Sequence, residues 1–149
     1  MAIWFKTHLR RISVRANRIR RVAQSILVQA GHPTAQLSLS LVGKTRMRSL
    51  NRKYRGRDYP TDVLAFPMGS MAEQTDVFLG DVVICLPVAI GQASRFGNSA
   101  DQEILRLLIH GTLHLLGYDH EQSPREATRM QRKERTIVQK LSPIPRLLI

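Results

Sequence analysis

The residues best suited to chemistry lie in one stretch near the C-terminus, HGTLHLLGYDH, residues 110–120. His110 and His114 are four apart in a predicted helix, which places both side chains on one face. Gly117 should end the helix, so that the chain can reverse and bring His120 to the same point. Three neutral imidazoles suit zinc and leave one coordination position for water, which ionises more easily when bound. We therefore predict one zinc ion per chain, held at the end of a helix.

Gly111 distinguishes this pattern from that of a metallopeptidase. A zincin peptidase carries a glutamate directly after the first histidine as its general base. Glycine at this position disfavours proteolysis, and we expect it to leave space beside the metal for a bulky substrate. The general base is then unassigned. Asp119 is the nearest carboxylate in sequence, and capping of a turn is its alternative role.

The charge of the chain is unevenly distributed. The net charge is +12, and residues 1–57 contain fourteen Lys or Arg and no Asp or Glu. Such a basic region favours a polyanionic partner, either nucleic acid or an anionic membrane surface, with an unpartnered soluble face as the alternative. If the partner is a nucleic acid, we expect this region, including Arg15, Arg18 and Arg21, to bind its phosphates.

Composition narrows the class of protein. At 149 residues and 43% apolar content, the chain fits one domain, residues 1–149, with a real core. It contains no run of ~20 apolar residues and no secretory signal, so we expect no membrane association. The single cysteine fits a reducing compartment. The arginine-rich N-terminus also resembles a mitochondrial transit peptide, but the arginine helix runs directly into the domain, which favours a bacterial-type cytoplasm.

Hydrophobic periodicity supplies the elements that must position these residues. Strands are predicted at AIWF as an edge strand, at 36–42, at 62–67 and at 78–86, with a loop at 68–76. Helices are predicted at 13–32, at 45–55 with Met47, Leu50 and Tyr54 inward, at 87–96, from Ser99 with Gln102 in a capping box to Gly117, and from Ser123 with Glu126 in a capping box to Leu141. The fold class is therefore α/β or α+β, a small mixed sheet flanked by helices, with the metal-binding part at 99–141.

Three blocks of sequence resemble the YbeY family of zinc-dependent endoribonucleases that act in ribosomal RNA maturation. The blocks are LNRKYRGRDYPTDVLAFP at 50–67, LGDVVI at 79–84 and the histidine motif, and the resemblance extends roughly from Leu37 to Lys140. It implies that the three histidines bind zinc and that the fold is a small sheet flanked by helices.

The resemblance also implies that Arg55 lies in the active cleft. A guanidinium there could hold a phosphate bidentately and offset charge as phosphorus is attacked. We assign catalytic roles to Arg55 and His110, and we expect Arg52 and Arg57 to contact RNA. The chain departs from the family at Ala65, where a serine is usual, so any role of that hydroxyl is absent.

Asp62 and Asp81 lie in or beside predicted buried strands, where an unpaired carboxylate is costly. Each could accept the free ring N–H of a ligand histidine. The alternative for each is a structural hydrogen bond to a nearby loop amide.

Two functions from different classes fit these observations. The first is a metal-dependent endoribonuclease that acts on single-stranded regions of ribosomal precursor RNA or on the small ribosomal subunit. The second is a non-catalytic RNA-binding factor for ribosome assembly with a structural zinc site. A fourth protein ligand would indicate the second, because structural zinc sites are closed. RNA cleavage by activated water and by the RNA's own 2′-hydroxyl both remain open.

Overall fold

The strands form one mixed sheet in the order β1-β2-β4-β3. This computed structural model describes residues 3–68 and 78–149, so all but one residue of the predicted loop at 68–76 lies outside the described residues. The strands are β1 (Ile3–Thr7), β2 (Gln36–Val42), β3 (Val63–Pro67) and β4 (Phe78–Cys85). The helices are α1 (Ala16–Gln29), α2 (Lys44–Arg55), α3 (Leu86–Arg95), α4 (Ala100–Leu115) and α5 (Pro124–Leu141).

The pairing of the strands confirms the predicted mixed sheet. β1 pairs with β2 and β2 with β4 in parallel, whereas β3 pairs with β4 antiparallel. β1 is an edge strand, as predicted, and β3 forms the opposite edge of the sheet. The β1 edge of the sheet is next to α1, whereas α4, which carries two of the histidines, packs against β3 and β4. The histidines therefore lie at the β3 edge.

The sheet separates two hydrophobic layers because successive side chains of a strand point to opposite faces. On one face Val82 and Ile84 join the main core with α1, α4 and α5. On the other face Val83 and Cys85 pack with Met47 of α2. The alternation therefore assigns α4 and α2 to opposite faces, and a site shared by both helices must extend around the edge of the sheet.

The predicted inward side of α2 is correct for Met47 but wrong for Tyr54. Met47 is fully buried and Leu50 partly buried, whereas Tyr54 is 55% exposed. Tyr54 lies in the last turn of α2, and its ring meets the edge of the Phe66 ring at a centroid distance of 5.1 Å. The buried polar residue of α2 is Asn51, whose side-chain amide donates a 2.8 Å hydrogen bond to the carbonyl oxygen of Tyr59.

The caps of α4 and α5 set where the histidine segment begins and ends. At α4 the capping box is complete, because Ser99 Oγ accepts from the Gln102 amide and the Gln102 side chain accepts from the Ser99 amide. At α5 the Ser123 hydroxyl accepts a hydrogen bond from the backbone amide of Glu126, but the Glu126 carboxylate contacts Arg129 at 3.4 Å and not the backbone amide of the N-cap, so this capping box is incomplete.

Over the described ranges, 3–68 and 78–149, we find no helix with the length and apolar character needed to cross a membrane.

Candidate metal centre and active cleft

The last two turns of α4 and the turn that follows supply the three histidines. His110 and His114 lie in α4, and the helix ends at Leu115. Gly117 adopts a φ of +96°, a conformation that glycine takes without strain, and lets the chain turn back. His120 then lies on the turn between α4 and α5. The predicted arrangement of two helical ligands and one turn ligand is the one observed.

The three imidazoles converge on one point. One ring nitrogen from each residue lies within 4.8 Å of the other two, and the Nε2 atoms of His110 and His114 are 3.2 Å apart. Two nitrogens bound tetrahedrally at ~2.0–2.1 Å from zinc would be separated by about 3.3 Å. The donor set and the spacing therefore fit a metal ion, and the three residues can hold one.

The electrostatics of the cluster keep His114 in its neutral form. Burial is the main cause that lowers the pKa of His114 below its ordinary value; electrostatic interactions with His110, His120 and Arg55 lower this pKa further, and Asp119 raises it in part. Only a neutral imidazole has a free lone pair for a metal. The same environment that disfavours a proton on His114 thus favours metal coordination.

Glu134 on α5 provides the carboxylate nearest to a ligand histidine. Its Oε1 atom lies 3.4 Å from His110 Nδ1, and both side chains are mostly buried. A proton on Nδ1 would point to this carboxylate and leave the Nε2 lone pair facing His114. Sequence reasoning missed Glu134, because 24 residues separate it from His110 and no local pattern connects them.

Arg55 faces the histidines across an open cleft of ≈ 810 Å³. The cleft extends around the free edge of β3, with α4 and the turn at 117–122 on one side and the end of α2 on the other. The Arg55 Nη2 atom is 3.5 Å from the carbonyl oxygen of Ala65 on β3. The placement of Arg55 in the cleft, which the family resemblance implied, is therefore observed.

The family model, the related sequences and a solved structure all point to the same group of proteins. A family model described as Endoribonuclease YbeY matches residues 5–142. Relatives named Endoribonuclease YbeY occur in Sulfurihydrogenibium sp., 40% identical over 83% of this chain and 82% of the relative, and in Aquifex aeolicus, 40% identical over 90% and 89%. A third, from Geobacter sulfurreducens, is 39% identical over 92% and 93%. The solution structure of TM1509 from Thermotoga maritima is similar with a TM-score of 0.66 and 27% identity, covering 93% of this chain and 88% of that one.

The chain belongs to the YbeY endoribonuclease family.

Within this YbeY family member, Gly111 has a different role from the one expected. A Cβ atom at position 111 would lie 2.7 Å from Val82 Cγ1 and 3.4 Å from Val63 Cγ2. The direction that a side chain at position 111 would take is therefore occupied by the sheet, although Gly111 itself lines the cleft. Glycine is required because α4 approaches β3 and β4 closely. Any side chain at this position, including the glutamate of a peptidase, would meet the same valines.

Asp62 lines the cleft but supports its loop and not a histidine. Its carboxylate accepts hydrogen bonds from the Val63 amide at 2.7 Å and from Gln92 at 3.1 Å, and it lies 3.6 Å from Arg106. Arg106 in turn binds the buried Glu103 through two hydrogen bonds of 2.7 and 3.0 Å. These contacts match the structural alternative considered for Asp62, and they tie the start of β3 to α3 and α4.

Asp81 is also placed away from the histidines. It precedes Val82 in β4, and Val82 contacts the α4 face at Gly111. Since neighbouring side chains alternate, Asp81 points to the opposite face. This direction does not favour a contact of Asp81 with a ligand histidine, and that contact stays a prediction.

Asp119 lies in the cleft and caps its turn. Its Oδ1 atom accepts a 2.9 Å hydrogen bond from the Glu121 amide. The turn-capping role is thus observed, and a role as general base stays a prediction.

The other arginines predicted to contact RNA lie in the cleft, beside Asp58 and on α1. Arg57 lines the cleft, whereas Arg52 lies 3.9 Å from Asp58, which Arg48 binds through two hydrogen bonds. Arg15 is the N-cap of α1, and Arg18 and Arg21 are exposed on that helix. α1 packs against β1, α4 and α5, and among the described residues that line the cleft none comes from α1. The contact of these arginines with RNA stays a prediction, but it would lie outside the cleft.

Proposed function

We propose that the protein is a zinc-dependent endoribonuclease that cleaves single-stranded regions of ribosomal precursor RNA in a bacterial-type cytoplasm. The observation that carries the proposal is the convergence of His110, His114 and His120 opposite Arg55 in one open cleft, in a chain of the YbeY endoribonuclease family.

The ligand set supports zinc in a catalytic role. Imidazole nitrogen suits zinc, and three protein ligands are typical of catalytic zinc sites, whereas structural sites use four. Over residues 3–68 and 78–149 no fourth His, Cys, Asp or Glu joins the cluster. His120 is 42% exposed at the mouth of the cleft, so the open side faces the space where RNA would enter. The non-catalytic alternative is therefore not favoured.

The chain's own residues would divide the work at the reacting phosphate. Arg55 would bind two phosphate oxygens and offset the charge that develops on them, and its position in the cleft lining supports this role. Arg57 adds a second cation to the lining of the cleft. Glu134 holds the ring of His110 in orientation, and a bound zinc ion would supply Lewis-acid polarisation of the phosphate or of water.

Cleavage assays with metal-depleted and zinc-restored protein test the function. We expect the depleted protein to leave single-stranded RNA intact, and one zinc per chain to restore internal cleavage. A terminal 2′,3′-cyclic phosphate in the product would indicate attack by the 2′-hydroxyl, and a free terminal phosphate would indicate attack by water. RNA binding without internal cleavage at full zinc occupancy would contradict the enzyme assignment.

The ribosomal substrate and the compartment need their own tests. We expect faster single-turnover cleavage of precursor ribosomal RNA than of an unrelated RNA of equal length and base composition. In cells that lack the protein, unprocessed ribosomal RNA should accumulate, and fractionation should recover the protein with cytoplasmic ribosomal particles. Equal rates on the two RNAs together with normal ribosomal RNA would remove the ribosomal part of the proposal.

A further inference from the structure

A second cationic surface lies on α5, next to the histidine cleft. Arg125, Arg129, Arg132 and Lys133 line a groove that Tyr118 bounds at one end. The spacing of three, four and seven or eight residues places these side chains on one helix face. We call the surface formed by these five residues the α5 groove.

The positive charge of the α5 groove is mostly uncompensated. Arg129 contacts Glu126 at 3.4 Å. Over the described parts of the chain no carboxylate lies within ion-pair distance of Arg125, Arg132 or Lys133. Cations held side by side repel one another, and an anionic ligand relieves this repulsion.

Tyr118 connects the α5 groove to the histidine cleft. Its side chain lines both, because it lies on the turn between α4 and α5. The Arg129 guanidinium lies 4.7 Å from the centre of the Tyr118 ring. An aromatic ring beside a cationic groove is the combination that binds single-stranded nucleic acid, because the ring stacks on a base while the cations follow the phosphates.

We propose that the α5 groove binds the single-stranded RNA that flanks the cleavage site. This inference deepens the proposed function and rests on it. A strand with one phosphate opposite the histidines would pass Tyr118 and continue along α5. Residues 125–133 span about 12 Å of helix, the length of roughly three or four stacked nucleotides. Continuity with the cleft favours RNA over an acidic protein as the occupant.

The salt dependence of RNA binding tests the proposal. The test variant carries Arg125→Ala, Arg132→Ala and Lys133→Ala, and the control carries Arg95→Ala, Arg135→Ala and Lys140→Ala. Both remove the same charge from exposed or partly exposed helical positions, but the control residues lie outside the groove. The probe is a fluorescent 2′-O-methyl oligouridine of about 12 nucleotides, within the range of single-strand site sizes. Its anisotropy is measured with zinc-loaded protein at several salt concentrations.

We expect the slope of log K against log salt to become shallower by about 2 in the test variant, at roughly 0.7 per lost phosphate contact, and to stay near the parental value in the control. Glutamine at the same three positions keeps more of the side-chain length and should give the same result. Cooperative thermal melting of each variant checks its fold.

Three outcomes would overturn the proposal. The first is a parental slope in both test variants, and the second is a change of slope in the control equal to that in the test variants. The third is that the test variants lose binding to poly-glutamate while they bind RNA as the parent does, which would point to an acidic protein. The binding assay needs no turnover, so it is independent of the proposed function. A parent protein that shows the expected slopes but cleaves no RNA would contradict the enzyme assignment and support the groove.

Discussion

Arg55 differs from the other cations of α2 because it faces the histidines. Arg52, three residues earlier, points to Asp58 and does not line the cleft. If Arg55 offsets charge at the reacting phosphate, its contribution belongs to the transition state and not to RNA capture.

We expect Arg55→Ala to lower single-turnover cleavage at saturating enzyme by about 10²–10³. Arg55→Lys should recover only part of the rate, because the ammonium keeps the charge but loses the bidentate geometry. Arg52→Ala is the matched control and should cleave at nearly the parental rate once RNA is bound. Equal rates for both alanine variants, at equal zinc content, would make Arg55 an ordinary phosphate contact.

Glu134 should act on the metal through His110. We expect Glu134→Gln to weaken zinc binding by about 10–100-fold, because an amide orients the imidazole less strongly than a carboxylate. Competition with a chelator of known affinity measures this loss. Glu126→Gln on the same helix is the control and should leave zinc affinity unchanged, since Glu126 contacts Arg129. Unchanged affinity in Glu134→Gln would reduce the contact to packing.

At the scale of the elements, the close approach of α4 to the sheet depends on Gly111. Gly111→Ala would place a methyl group 2.7 Å from Val82 Cγ1, and overpacking of this kind costs about 1–3 kcal/mol. Gly91→Ala in α3 is the control, because its new Cβ would meet nothing within 4 Å and alanine favours a helix.

Both variants gain helix propensity, so the free energies of unfolding should differ by about 1–3 kcal/mol in favour of Gly91→Ala. Urea denaturation of the two variants measures the difference. If the two variants are equally stable, α4 can move away from the sheet at little cost, and the packing argument fails.

Glu103 and Arg106 form an ion pair within α4, Arg106 also contacts Asp62 just before β3, and the pair should appear in the acid stability. The Arg106 hydrogen bonds hold the pKa of the buried Glu103 carboxyl below its ordinary value. A group whose folded-state pKa is lowered contributes stability above its unfolded pKa, and this contribution is lost as the pH falls through the folded pKa.

We therefore expect Glu103→Gln to lower the free energy of unfolding at pH 7 by about 1.5–3 kcal/mol and to flatten its decline below the unfolded pKa. Urea denaturation between neutral and acid pH measures both. Asp119→Asn is the control, because it removes a different carboxylate, one that accepts a hydrogen bond from a backbone amide. An acid dependence as steep in Glu103→Gln as in the parent would show that this pair does not set it.

At the scale of the whole molecule, a metal ion held by the three histidines would join α4, the turn at 117–122 and, through Glu134, α5. A ligand that binds only the folded state stabilises it, by about 2.7 kcal/mol when its concentration is one hundred times Kd. We expect zinc to raise the Tm of the parent protein and chelation to reverse this. His114→Ala should lose most of the shift, whereas His8→Ala, at an exposed histidine far along the chain, should keep it. A full zinc shift and full zinc content in His114→Ala would contradict the ligand assignment.

The distribution of charge also becomes clear only for the whole molecule. The basic residues of 1–57 suggest a single RNA-binding region, but the fold separates them. Arg55 and Arg57 lie at the β3 edge of the sheet, whereas Arg18 and Arg21 lie on α1, which packs beside β1 at the opposite edge. The cations of α5 form a separate groove that shares Tyr118 with the cleft, although they belong to the part of the chain with a net charge of −2.

The sequence by itself determined the features that depend on neighbouring residues. The four-residue spacing of His110 and His114 required only a helix, and the glycine at 117 required only a turn. The alternation in β2 and the capping box at Ser99 are equally local, because backbone geometry repeats every 2 or 3.6 residues. Those periods appear directly in the order of residue types.

Only the tertiary structure decided which distant residues meet. It placed Glu134 beside His110, turned Asp62 toward Gln92 and Arg106, and pointed Asp81 to the other face. It also filled the space at Gly111 with Val82. Hydrophobic periodicity tells which side of an element is buried, but not which element covers it. That choice depends on the order of the strands and on the face of the sheet that each helix occupies, and here those two facts set the residues around the histidines.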